Sequence, residues 1–151
     1  MQKYLMTIAL GPVQEFIAAA RRTADLTAGS QLLVGLARHL AEHLTNADLI
    51  FPASTKIGAP NKLLFTVQDE PHKIAADAKE QAHAYLRNRW EACLQQLGTV
   101  KGCIDEELAN WQLKNFLEFY AAWVPLNGDY AAARRRLEQL QIGRASCRER
   151  V

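Results

Sequence analysis

Tyr4-Leu-Met-Thr-Ile-Ala-Leu-Gly-Pro12 is the stretch that decides the fold. The run from Tyr4 to Leu10 carries no charge, and Gly11-Pro12 ends it. An apolar run closed by a turn dipeptide predicts a buried strand feeding a turn. Pro12 suits the first position of a helix, where its missing N–H costs nothing and its φ is already set. Val13, Phe16, Ile17, Ala20 and Ala24 then recur at helical spacing. The pattern breaks at Leu26-Thr-Ala-Gly-Ser30 and resumes with Leu33, Leu36, Leu40 and Leu44 on one face, with Ser30 placed as an N-cap.

Downstream, Asp48–Ala53 and Lys62–Val67 read as a second and a third strand, joined by a loop containing Gly58 and Pro60. The spacing predicts a long helix over 71–97, striped by Ile74, Ala78, Ala82, Tyr85 or Leu86, Trp90, Leu94 and Leu97 and stopped by Gly98. A short helix over 105–114 follows, carrying Leu108 and Trp111. The aromatic segment Phe116–Leu126 predicts a fourth strand. Asp129 caps a last helix through Leu140, with Tyr130, Ala133, Leu137 and Leu140 inward and Arg134, Arg135 and Arg136 mostly outward. Without its extra helices the order is βαββαβ, an α+β, ferredoxin-like arrangement.

A chain of 151 residues, 49% hydrophobic and 23% charged, holds one core but not two. It contains no unbroken apolar stretch of membrane-spanning length, about 18 residues. The N-terminus is too short and polar for a signal peptide, so the expected compartment is the cytoplasm. Ile142–Val151 lacks apolar periodicity and resembles the translation of a short-read sequencing adapter. We therefore expect residues 1–141 to form the domain, residues 142–151 to be a scar, and the natural chain to continue beyond 141. Without the tail, 15 Lys and Arg balance 15 Asp and Glu, which removes net basicity as an argument for nucleic-acid binding. Cys93 and Cys103 match no zinc spacing and read as reduced thiols.

Function rests on a longer block. Gly11-Pro-Val-Gln-Glu-Phe-Ile17, Ala20-Arg-Arg-Thr23, Asp25-Leu26 and Ala28-Gly-Ser30 followed by Leu32-Leu33 resemble the opening of the large subunit in the Cmr branch of type III (III-B) CRISPR effector complexes. The resemblance continues through Asp48–Pro52, Pro60–Leu64, Tyr120–Leu126 and Asp129-Tyr130. Thr27 departs from it, standing where that family has Trp. No HD nuclease domain precedes the first strand: either this homologue lacks it or the true start lies upstream, and no DNA cleavage is assigned. The resemblance implies the first of two palm domains in an RNA-guided antiviral complex whose specificity comes from base pairing with a guide (compare). The second palm, carrying a GGDD motif, makes cyclic oligoadenylate from ATP, and the first completes the cleft. Implied partners are the other Cmr subunits, guide RNA and target RNA, with no membrane.

Catalysis by this domain alone is improbable on chemical grounds. Palm chemistry needs carboxylates holding two metals about 3.5–4 Å apart. Those carboxylates belong at the end of the first strand and in the hairpin between strands two and three. The strand ends Ala9-Leu10-Gly11, and Phe51–Leu64 contains no Asp or Glu. Hence no catalytic and no metal-binding residue is assigned, and any divalent metal would enter through the second palm. The candidate ATP-binding residues are Gly11 and Pro12, whose turn places the free backbone N–H groups of a helix start beside the sheet edge, Gln14 as a base or ribose partner, and Ser30 as a phosphate contact. Each also has a plain structural reading: a turn, a solvent-facing amide and an N-cap. His39 and His43 lie four apart but lack the Glu of H-E-x-x-H, so a solvated helix face is the better reading. Arg134–Arg136 is a weaker candidate for RNA phosphates, and the three tryptophans read as core or interdomain packing. Two rivals remain: a non-catalytic scaffold docking neighbouring subunits and guide, and an unrelated ferredoxin-like RNA-binding module, which would want stacked aromatics on central strands.

Overall fold

The computed structural model describes residues 2–12, 18–54, 60–68 and 70–148, with side chains described as far as Gln141. Four strands, β1 (Lys3–Gly11), β2 (Asp48–Phe51), β3 (Lys62–Gln68) and β4 (Glu118–Pro125), form one sheet in the order β2-β3-β1-β4. Every neighbouring pair is antiparallel, with Met6 opposite both Phe65 and Trp123. α1 (Thr23–His43) connects β1 to β2, and α2 (Pro71–Gln96) leads from β3 towards β4 through a 3₁₀ turn (Gly98–Cys103) and α3 (Glu106–Phe116). α4 (Tyr130–Arg148) ends the described chain. Each crossover thus joins two strands separated by a third, which is the ferredoxin-like palm arrangement expected from the sequence.

Strand alternation sorts the core into two layers. Met6, Ile8 and Leu10 of β1 and Leu63, Phe65 and Val67 of β3 face α1 and α2, meeting Leu36, Ala37, Leu40, Ala78 and Ala82. The intervening Leu5 and Leu64, with Val124, face the other way onto Ala133 and Leu137 of α4. Both central strands are therefore buried on both faces, which explains why β1 reads as a continuous apolar run. Thr7 and Thr66 are the polar exceptions, and both are satisfied. The Thr7 hydroxyl donates to the Leu63 carbonyl (2.9 Å) and accepts from Gln141 (3.3 Å), and the Thr66 hydroxyl donates to the Asp48 carboxylate (3.2 Å).

Several boundaries differ from the sequence reading. Ser30 is not an N-cap: α1 begins at Thr23, seven residues earlier, and Ser30 is exposed in its interior. The start is held by the Asp25 carboxylate, which accepts from the backbone N–H groups of Arg22 (3.1 Å) and Arg21 (3.3 Å). Gly29, read as part of a break, is a buried helical residue. Of the helix expected to start at Pro12 and run through Ala20 and Ala24, residues 13–17 lie outside the described residues, Ala18 and Ala19 are helical, and residues 20–22 leave the helix before α1 begins. Within α4, Ala133 and Leu137 are buried as expected, but Tyr130 and Leu140 are exposed. That helix also runs on to Arg148 rather than stopping at Leu140.

The remaining terminators follow their chemistry. Gly98 ends α2 with a φ of 53°, a conformation that favours glycine. Asp105 and Asp129 cap α3 and α4, accepting from the backbone N–H groups of Leu108 and Ala132 at 2.9 Å each. Asp129→Ala is expected to cost about 1 kcal/mol, read as a lower urea midpoint with an unchanged m-value.

Candidate functional site

The glycine–proline corner lies at the end of a central strand. Gly11 is buried and Pro12 half-buried. Asn61, just before β3, fastens the strand end: its carbonyl accepts from the Leu10 N–H (2.8 Å), and its amide donates to the Leu10 carbonyl (3.2 Å). Gly11 pairs with Glu118 at the start of β4. A Cβ at Gly11 would lie 2.9 Å from the Glu118 carboxylate and 3.3 Å from its Cβ. Close approach of Glu118 is therefore what this glycine accommodates, since its φ is not left-handed.

Glu118 is the residue that sequence reasoning missed. It brings a carboxylate to the end of β1, where the palm layout calls for one, but from the opposite neighbouring strand. Its position follows only from the β1–β4 register, so nothing in the local sequence identifies it. The hairpin between β2 and β3 still supplies no acid, although its tip, residues 55–59, lies outside the described residues. Among the described residues no three His, Cys, Asp or Glu side chains converge in a way that could hold a metal ion.

The proposed ligand contacts are spread over different elements. Gly11 and Pro12 sit at the sheet end, Ser30 is exposed two turns into α1, and Gln14 lies outside the described residues. Ser30 stands between Gly29 and Gln31, which both line a groove of about 650 Å³ between α1, α2 and α3. Arg134 pairs with Glu138 at 2.7 Å, so one of the three consecutive arginines is already engaged within α4.

A family model described as "CRISPR-associated protein Cmr2, N-terminal" matches residues 5–95. The chain belongs to the Cmr2 N-terminal family. It is thus an N-terminal palm domain of the large subunit of type III CRISPR effectors, of the Cmr branch. Among solved structures, Csm1 in T. onnurineus matches with a TM-score of 0.50 and 18% identity over 91% of this chain. At that identity the likeness concerns the fold. The match takes up 19% of that chain, so the Cmr2 N-terminal domain here spans about a fifth of the length of that neighbour. No curated protein matches. Among the described residues no helix is long and apolar enough to cross a membrane.

Two histidines of this Cmr2 domain are neighbours on α1. The rings of His39 and His43 lie 4.0 Å apart, tilted by 45°, and the His39 ring lies 5.0 Å from that of Tyr85 on α2. His43 Nδ1 is 2.8 Å from the His39 carbonyl, which can only accept, so that nitrogen carries the proton. Burial, and then the neighbouring His43, hold the His39 imidazole below its ordinary range, with Glu42 pulling the other way. Burial, then Lys79 and Arg87, do the same to His83.

Both shifts carry the same sign. As pH falls through the unfolded value, about 6.5, the unfolded chain takes up protons before the folded one does. Stability is therefore full above that pH and declines below it, until the folded imidazoles titrate as well. The denaturation midpoint is expected to drop between neutral pH and the mildly acidic range, and H39Q/H83Q should flatten that slope. A double variant with the wild-type slope would contradict this assignment.

Proposed function

We propose that this domain forms one wall of a nucleotide cleft shared with a second palm. In this reading it helps that palm convert ATP to cyclic oligoadenylate while supplying no metal-binding pair of its own. The observation that carries the reading is membership of the Cmr2 N-terminal family on a ferredoxin-like sheet whose first strand ends in glycine and whose hairpin lacks acids. Gly11 and Pro12 would approach the nucleotide through backbone, with Gln14 and Ser30 contributing polar contacts. The chemistry of two-metal phosphoryl chemistry would come from the partner palm. Guide and target RNA would act through the assembled complex, where pairing licenses synthesis.

The test is an assay on the assembled effector. ATP should be converted to oligoadenylate only when target RNA matches the guide, and the present chain alone should convert none. Changing Gln14 and Ser30 together should weaken ATP affinity. Unchanged affinity in that double variant would remove the pocket assignment.

A second reading, a scaffold that docks neighbouring subunits, is favoured by a separate observation. Leu108 and Trp111 of α3 are 51% and 62% exposed, an apolar surface that the fold itself leaves uncovered.

A further inference from the structure

The two ladders that hold β1 end at different places. Pairing with β3 stops at Ala9 and Lys62, whereas pairing with β4 continues through Leu10 and Phe119 to Gly11 and Glu118. Beyond Ala9, the β3 side of the strand is held among the described residues by Asn61. Its carbonyl accepts from the Leu10 N–H at 2.8 Å, as the next ladder residue would. The return bond, to the Leu10 carbonyl at 3.2 Å, comes from the Asn61 side-chain amide. One asparagine thus grips both backbone polar groups of Leu10, and half of that grip is a side chain.

The grip acts one residue further on. A peptide unit is planar and trans, so the Leu10 carbonyl and the Gly11 N–H lie in one plane and point in opposite directions. Holding the Leu10 carbonyl fixes that plane, and with it the direction in which the backbone enters the Gly11–Pro12 corner. Core packing sets a different quantity. The Leu10 side chain is buried in the layer facing α1 and α2, which locates the residue without orienting its carbonyl. Asn61 itself is exposed and adds little to that core.

We infer that Asn61 is a positioning residue for the nucleotide, setting the attitude of the Gly11–Pro12 backbone against which ATP binds and touching no substrate atom itself. The inference rests on the cleft reading above and deepens it by naming the residue that preorganises this wall. A wall already held in its bound geometry avoids an ordering cost when the ligand arrives. Loss of the amide should therefore weaken ATP binding and spare the chemical step, which belongs to the second palm.

Asn61→Leu is the test, because leucine is neutral and close to asparagine in size but has no donor. Initial rates of oligoadenylate synthesis are measured against ATP concentration, in the effector assembled from the full-length large subunit and supplied with matched target RNA. N61L should raise KM for ATP by roughly tenfold, the weight of one lost hydrogen bond, and leave kcat unchanged, the pattern of a binding defect. N61S, whose hydroxyl is one atom short of the amide, should behave alike and stands in if N61L does not assemble. N88L, the same exchange at an exposed position of α2, should keep both parental values. A merely structural asparagine would lower the active fraction, and so the apparent kcat, at an unchanged KM. That result, parental constants in N61L and N61S, or failure of both variants to assemble overturns the assignment while the cleft reading stands. If the parent effector makes no oligoadenylate from ATP, the cleft reading fails, and this inference with it.

Discussion

Phe65→Ala is expected to cost about 3–5 kcal/mol, a large share of the about 5–15 kcal/mol that holds an ordinary domain folded. Phe65 is fully buried in β3, opposite Met6 of β1 and Leu49 of β2. It belongs to the layer where Leu36 and Leu40 of α1 meet Ala78 and Ala82 of α2. Small residues on α2 let that helix come close, and the aromatic ring occupies the space they leave. Truncation opens a void that neighbours fixed in strands and helices refill only in part. Phe51→Ala is the matched control, because Phe51 lies at the end of the edge strand β2 and is 47% exposed. It should shift the urea midpoint little, since substitutions at such exposed positions usually stay within about 0.5 kcal/mol. Similar losses for the two phenylalanines would contradict the placement of the core.

Gly35→Ala sets two effects against each other. In an exposed helix interior the change favours folding by about 1 kcal/mol. Here a Cβ would collide with the hydroxyl of Tyr85, which reaches across from α2. The ring is itself held against His39, so relieving the clash means shifting the contact between the two helices. Overpacking of that kind costs about 1–3 kcal/mol, and we expect the variant to be destabilised despite its better propensity. Tyr85→Phe removes the colliding atom and leaves the ring Cζ 3.4 Å from the new Cβ, an ordinary contact. The double variant G35A/Y85F should therefore recover at least the parent thermal midpoint. A single G35A variant as stable as the parent would place Tyr85 elsewhere.

The fold was readable wherever the signal was periodic and local. The charge-free run before Gly11 announced a strand buried on both faces, and Leu33, Leu36 and Leu40 announced the inner face of α1. Asp129 announced a cap. The start of α1 was not legible, because Thr27-Ala28-Gly29 looks like a break. Its cap is Asp25, a residue three places inside the helix that reaches back to the chain before it. Tyr130 and Leu140 fit the helical stripe by spacing, yet the sheet face meets α4 only around Ala133 and Leu137. Glu118 and the groove were invisible for a different reason. Both are made by elements far apart in sequence, one by strand register and the other by three helices converging.

If the end of β1 borders the nucleotide, as proposed, photolysis of 8-azido-ATP in the assembled complex followed by peptide mapping should place label on the tryptic peptide 4–21, which contains Gly11 and Pro12, with competition by unlabelled ATP. Label confined to the second palm while the complex makes oligoadenylate would contradict it.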